Sequence, residues 1–382
     1  MGNNSHQQKP KQSETLFAYI TGFFTAAVIG GLIFMFIAYK AGPTSKFGFG
    51  LFSPSKSYKT VMRLPDNLLE ELTLLKAPIG NADNPTKVIE HDTYLTRPDD
   101  EIGYRLNPDI NLSVHLLKST KAINLDPPVL HLQEADKSLI SSELQSYLQQ
   151  ESRVSYSYST NSEGFRTTVP YVESDRQILI IGDSVPFGVG VDDANTTASQ
   201  LQKMVGNEYQ IVNAGVGGYN GHQAFLRAKE LGAENNYYGL IYVACQNDFM
   251  GDTDWMTKAG ETLKELDSIS DSFNNNILIM LETYMEYTLR DFFLELGWSE
   301  DRIDKTHRLR KSLPEVAAKY GFDYHDWTDV VNNFMKQEKS IFSRFTLYSD
   351  HAHLSPLGNR LMAGELFSII REKWPSHGER SD

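Results

Sequence analysis

Hydrophobic and polar positions divide the chain into regions of different kind. Leu16–Tyr39 (LFAYITGFFTAAVIGGLIFMFIAY) is almost wholly apolar and carries no charged residue. As a helix rising about 1.5 Å per residue it would extend roughly 36 Å, enough to cross a hydrocarbon layer of about 30 Å. A soluble core helix would show polar positions, and a signal-peptide core spans only about 7–15 residues. The pattern therefore predicts a transmembrane helix over 15–39, retained as a signal anchor. Tyr19, Phe36 and Tyr39 near its ends suit the membrane interface. Lys9 and Lys11 precede the span while Lys40 and Lys46 follow it, so the positive-inside count is nearly a tie.

Around that span the pattern is polar. Residues 1–14 form a tail too poor in apolar residues to fold, and 40–98 reads as a juxtamembrane linker. Ala41–Ser57 is rich in Gly, Pro, Ser and Lys, and Pro65–Ala77 has the acidic first turn and Leu spacing of a short amphipathic helix. Asn81–Pro98 is irregular. From 99 to 175 short β-like pieces alternate with turns, apart from a helical stretch at Ser138–Gln150, which predicts a small β-rich subdomain. Its fragments Glu101–Pro108 (EIGYRLNP) and Thr160–Arg166 (TNSEGFR) stand out, and composition alone favours a structural role for both.

At Gln177 the rhythm changes. Strands are predicted at Gln177–Ile181, Tyr209–Asn213, Leu240–Ala244, Asn276–Leu281 and Phe322–His325. Helical patterns fall between them at Thr196–Val205, His222–Leu231, Thr283–Leu296 and Ile303–Tyr320, and a last helix covers Pro356–Trp374. Such alternation implies a parallel sheet with helices on both faces and right-handed crossovers, here over 176–376 and followed by a short tail at 377–382. The segment Phe249–Asn274, with Asp252, Asp254 and Trp255, is expected to lie over the strand ends as a lid or helical insertion.

Charge and cysteine content narrow the function. Lys and Arg number 36 against 49 Asp and Glu, a net charge of −13, and so acidic a chain is a poor partner for nucleic acid. The single cysteine, Cys245, excludes an intramolecular disulfide framework and a Cys-rich metal site.

The candidate chemistry sits in four blocks. Gln177–Gly190 (QILIIGDSVPFGVG) is a buried-strand pattern that stops at Gly182, Asp183 and Ser184. This delivers a serine to the carboxyl end of the sheet, where open α/β folds bind ligands. The second predicted strand runs into Asn213–Asn220 (NAGVGGYN), the third into Cys245–Asp248 (CQND), and Asp350–Gly358 (DHAHLSPLG) precedes the last helix. Acyl transfer needs a nucleophile, a base, a group orienting the base, and donors for the developing oxyanion. Ser184 can attack, His353 can take its proton, and Asp350, three residues earlier on the same turn, can accept from the other ring nitrogen. The N–H groups of Ser184 and Gly218 with the Asn247 amide would form the oxyanion hole. Because the neutral imidazole is the base, turnover is expected to rise as the histidine deprotonates. Each block alone has a plainer meaning as a turn, a loop or a helix cap. His351, His353 and Asp350 make a thin metal-binding pattern, and Gly188 and Gly190 lack the third glycine of a dinucleotide fingerprint. Their joint occurrence, in order, argues for catalysis.

In these blocks the chain resembles the SGNH (GDSL-like) hydrolases. Ser184, Gly218, Asn247 and His353 stand at the four positions that name the family, and Asp350 completes the triad; the likeness covers Gln177–Trp374. It implies a flavodoxin-like three-layer α/β/α sandwich (the SGNH hydrolase fold) with a parallel five-stranded sheet of order 2-1-3-4-5, and no cofactor. One departure is Cys245, where the family usually has glycine. A positive φ there would strain the loop and shift Asn247; the expectation is a negative φ, with the cysteine filling a small buried space and the chemistry left intact. The GYRLNP and NSEGFR pieces resemble those ahead of the catalytic domain in membrane-anchored bacterial members, many of which are thought to act on acylated envelope or secreted polysaccharides. The expectation is a membrane-anchored serine esterase, its catalytic domain outside the cytoplasm, removing an O-acyl group, acetyl above all, from a glycan or small ester. Two alternatives stay open: an O-acetyltransferase passing the acyl group to a polysaccharide hydroxyl, and a non-catalytic carbohydrate-binding or assembly subunit. Envelope or polysaccharide-assembly partners would go with any of the three.

Overall fold

The computed structural model describes residues 79–81, 95–117, 128–133, 138, 140–249, 254–282, 300–338, 346–349 and 352–374. The predicted span Leu16–Tyr39, the linker Ala41–Ser57, the helices at Pro65–Ala77 and Thr283–Leu296, and both tails lie outside them. Among the described residues no helix is long and apolar enough to cross a membrane.

In chain order the elements begin with strands β1 (Ile79–Asn81), β2 (Thr96–Asp99), β3 (Gly103–Leu106), β4 (Asn111–Leu117) and β5 (Pro128–Gln133). Helix α1 (Ser142–Glu151) and strand β6 (Ser152–Ser159) follow. Then come β7 (Gln177–Gly182), the single turn α2 (Ser184–Phe187), α3 (Thr197–Val205), β8 (Gln210–Asn213), α4 (Gly221–Glu234) and β9 (Gly239–Cys245). The chain continues through α5 (Trp255–Asp267), β10 (Ile277–Glu282), α6 (Glu300–Lys319), β11 (Asp323–Asp326), α7 (Trp327–Glu338) and α8 (Pro356–Lys373).

The main sheet has five strands in the order β11-β10-β9-β7-β8, every pair parallel. Numbered from its own first strand and read from the β8 edge, this is the predicted 2-1-3-4-5. Its central strands, ILIMLE in β10 and GLIYVAC in β9, are buried at every position, as strands covered on both faces must be. Alternation along β7 sorts the two cores. Ile178 and Ile180 pack with Leu201 of α3, Val331 of α7 and Leu366 of α8, whereas Leu179 and Ile181 pack with Ala228 of α4, Leu263 of α5 and Leu313 of α6. The result is the expected three layers.

One sequence expectation is corrected here, and one helix was not expected. Most of Phe249–Asn274 is no lid: α5 is the crossover from β9 to β10, and its Ala259, Leu263 and Leu266 are completely buried against the sheet. A thirteen-residue helix with apolar residues at helical spacing has to cover a parallel sheet, which explains the length that looked like an insertion. The helix not expected is α7, which follows β11 without a break and buries Trp327 and Val331.

The smaller β-structure begins upstream of residue 99. One antiparallel sheet has the order β1-β5-β4-β6, and β2 and β3 form a separate hairpin whose first strand falls in the stretch read as irregular. The helix expected at Ser138–Gln150 is α1. Ile102, Leu106, Leu112, Val114, Tyr156 and Tyr158 share a core with Phe187, Val216 and Tyr219, so this β-structure packs against the first and second blocks.

Candidate active site

Strand β7 sits between β8 and β9, so the chain leaves it first to one side and then to the other. The carboxyl end of such a strand opens a crevice at the topological switch point, and Ser184 stands there. The turn that exposes it depends on Gly182. Its φ is +138°, and a Cβ would meet the Val243 carbonyl oxygen and lie 2.8 Å from Pro186 Cγ. Asp183 then caps the short turn, its Oδ1 accepting the Val185 N–H at 2.9 Å.

His353 reaches this turn from the far end of the chain. Its Nε2 lies 2.9 Å from Ser184 Oγ, across 169 positions of sequence. The turn that carries it is closed by a bridge between Tyr348 and Leu354 and by the Ser349 N–H donating to the His353 carbonyl at 2.8 Å. Ser355 then caps α8, accepting the Gly358 N–H, with Pro356 at the first helical position. Asp350 and His351 lie outside the described residues.

The second block folds back onto the first. Asn213 Nδ2 donates to the Pro186 carbonyl at 2.8 Å, and the Val216 N–H donates to the Gly182 carbonyl at 3.1 Å. Gly218 follows with φ +83°. Among the described residues, neither the Ser184 nor the Gly218 N–H meets an acceptor. Asn247 is half-buried on the turn Gln246–Phe249, directly after β9. The three oxyanion candidates thus belong to loops at the carboxyl ends of three adjacent strands.

Cys245 is completely buried and is not among the residues with positive φ, so the unusual side chain does not strain the third block. Its Sγ–H donates to Glu282 Oε2 at 3.2 Å, and burial pushes the thiol well above its ordinary range. Asp248 holds the turn: Oδ2 accepts from Tyr242 Oη at 2.7 Å and from the Cys245 N–H at 3.0 Å. Burial raises the Asp248 carboxyl well above the usual range, and the charge of nearby Asp183 adds to this. Burial also raises Asp183, opposed by the Val185 N–H, the Asn247 side chain and the charge of His353.

Composition did not point to two further residues, although their motifs stood out. Arg166, from NSEGFR, is 1% exposed. Its Nη1 donates to the Phe187 and Gly188 carbonyls at 3.3 and 3.4 Å, Nη2 to the Val191 carbonyl at 2.9 Å, and Nε to Asp193 Oδ1 at 2.6 Å. The guanidinium also stacks near the rings of Tyr158 and Phe187, at 5.0 and 4.8 Å. Tyr104, from GYRLNP, donates through its hydroxyl to the Gly217 carbonyl at 3.0 Å. Both contacts join residues far apart in sequence, so only the motifs themselves were there to be seen.

No family model matches the chain, and comparison with curated proteins finds no match. Among solved structures it is similar to a member of the lipolytic protein G-D-S-L family from Veillonella parvula, with 15% identity over 51% of this chain and 98% of that one, at a TM-score of 0.40. It is similar to the lipase/acylhydrolase from Enterococcus faecalis, with 15% identity over 53% of this chain and 98% of that one, at a TM-score of 0.39. A carbohydrate acetylesterase family member from Sinorhizobium meliloti shows 13% identity over 52% of this chain and 98% of that one, at a TM-score of 0.38.

Proposed function

We propose that this chain is an SGNH-type serine esterase, held to a membrane by Leu16–Tyr39, that removes an acyl group, acetyl above all, from a glycan or related ester outside the cytoplasm. The observation that carries the catalytic part is the 2.9 Å contact of His353 Nε2 with Ser184 Oγ at the switch point of a parallel sheet. Ser184 Oγ attacks the acyl carbonyl carbon while its proton passes to His353 Nε2, and Asp350 orients the ring from the other side. The Ser184 and Gly218 N–H groups and the Asn247 amide receive the oxyanion. Collapse of the tetrahedral intermediate breaks the ester C–O bond. The departing alkoxide oxygen takes the proton from His353, leaving as the free hydroxyl, and the acyl group stays on Ser184. Water then attacks the acyl carbon, gives its proton to His353, and releases the acid as that proton returns to Oγ. The anchor and the location rest on the hydropathy pattern and the upstream motifs.

The test is covalent labelling of the full chain in detergent with a fluorophosphonate probe, which reacts with activated serines. Wild type should label, and Ser184→Ala and His353→Ala should not. Labelling that survives in folded Ser184→Ala overturns the assignment. Product analysis on an acetylated glycan, with and without an acceptor sugar, then separates release of the acid from transfer to a hydroxyl.

A further inference from the structure

Hairpin β2–β3 ends in a contact with the oxyanion loop that the proposed reaction can use. Tyr104 Oη donates to the carbonyl oxygen of Gly217 at 3.0 Å. That carbonyl and the Gly218 N–H belong to one planar trans peptide, in which the C=O and N–H bonds point in opposite directions. Holding the oxygen therefore fixes where the N–H aims. The peptide needs such a hold, because Gly218 at φ +83° has no side chain to restrict it. The fit is close: a Cβ on Gly218 would lie 2.8 Å from the Tyr104 hydroxyl.

Tyr104 is itself tied down. Tyr219 Oη donates to the Tyr104 carbonyl at 2.6 Å, and the two rings meet edge to face with centroids 5.2 Å apart. Gln223 Nε2 donates to the Ile102 carbonyl at 2.8 Å, and Arg105 bonds both Asp99 within the hairpin and Glu230 on α4. The hairpin is thus anchored on both sides of the Tyr104 hydroxyl that reaches the loop.

We infer that Tyr104 is a positioning residue, orienting the Gly218 N–H toward the oxyanion formed at Ser184. This rests on Ser184 being the nucleophile, and it assigns the upstream hairpin a part in the chemistry. Tyr104→Phe isolates the effect: the ring, its contact with Tyr219 and the backbone carbonyl all remain, and only the donated hydrogen bond goes.

The experiment measures p-nitrophenyl acetate hydrolysis by the full chain in detergent, wild type against Tyr104→Phe, with kcat expressed per serine titrated by the fluorophosphonate. A purely structural role would lower the number of titratable sites and leave kcat per site unchanged. The positioning role predicts a fall in kcat per site of about tenfold at nearly constant KM, short of the ~10²–10³ lost when an oxyanion donor is removed outright. Unchanged kcat per site in Tyr104→Phe, with an active wild type, overturns the inference and leaves the esterase reading standing. A wild type that neither titrates nor turns over overturns both.

Discussion

Gly182 and Cys245 show how single positions govern the site. At Gly182 the buried strand becomes a turn, with φ +138° and the Val243 carbonyl occupying the space where a side chain would begin. Gly182→Ala should therefore cost about 1–3 kcal/mol in backbone strain alone, with the clash in addition. Denaturant unfolding should show the loss as a lower midpoint, and labelling of Ser184 should fall with it because the turn must shift. At Cys245 the family resemblance made a glycine the usual residue, and a negative φ the expected way for a cysteine to fit. The backbone takes that conformation, and the side chain is absorbed between β9 and β10 through its bond to Glu282. The two cases differ for a local reason: carbonyl oxygen crowds Gly182, whereas residue 245 has room for a small side chain.

At the scale of elements, the loop after Ser184 is built around a charge. Arg166 is buried, yet its donors are matched by Phe187, Gly188, Val191 and Asp193, so the desolvation penalty is compensated. Removing it takes a donor from three carbonyls and leaves the Asp193 carboxylate with the Ser159 N–H and hydroxyl. Arg166→Ala should destabilise the chain by about 3–5 kcal/mol, the range for breaking a buried pair from one side, which equilibrium unfolding would measure. The hairpin β2–β3 has a different weakness. The Ile102 N–H, with help from Arg105 against the burial penalty, holds Asp99 below the usual carboxylate range. Burial raises Glu230, but Arg105 and Arg227 outweigh it and hold that carboxyl low as well. With both folded values depressed, the unfolded chain takes up protons first. The stability these groups contribute is complete above the unfolded values, about 4, and is lost as pH falls through the lower folded ones. Unfolding followed from about pH 7 to about pH 3 should show this decline, and Glu230→Gln should flatten it.

For the whole molecule, the order of strands decides where chemistry can occur. Because β7 lies between β8 and β9, the loops after all three strands leave the same edge of the sheet side by side, and the blocks at Ser184, Gly218 and Asn247 belong to those loops. The sequence carried the strands and most helices of this sheet to within a few residues, because buried strands and amphipathic helices leave distinct periodicities. It also offered Ser184 as the candidate nucleophile, from a small-residue turn after a buried strand, and His353 as the candidate base, from the DHAH pattern ahead of the last helix. It misjudged α5, where a crossover helix and an insertion look alike in one dimension, and it missed α7, which follows β11 with no turn residues between them. Local pattern by itself determined the layers, the candidate nucleophile and base, and the apolar span at Leu16–Tyr39 that supports a membrane anchor. Only the tertiary structure decided that His353 reaches Ser184, that residue 245 tolerates a cysteine, and that Arg166 and Tyr104 from upstream hold the two loops of the site. Periodicity records which face of an element is buried. A hydrogen bond between residues far apart in the chain leaves no periodic trace, and its existence depends on how the finished elements pack.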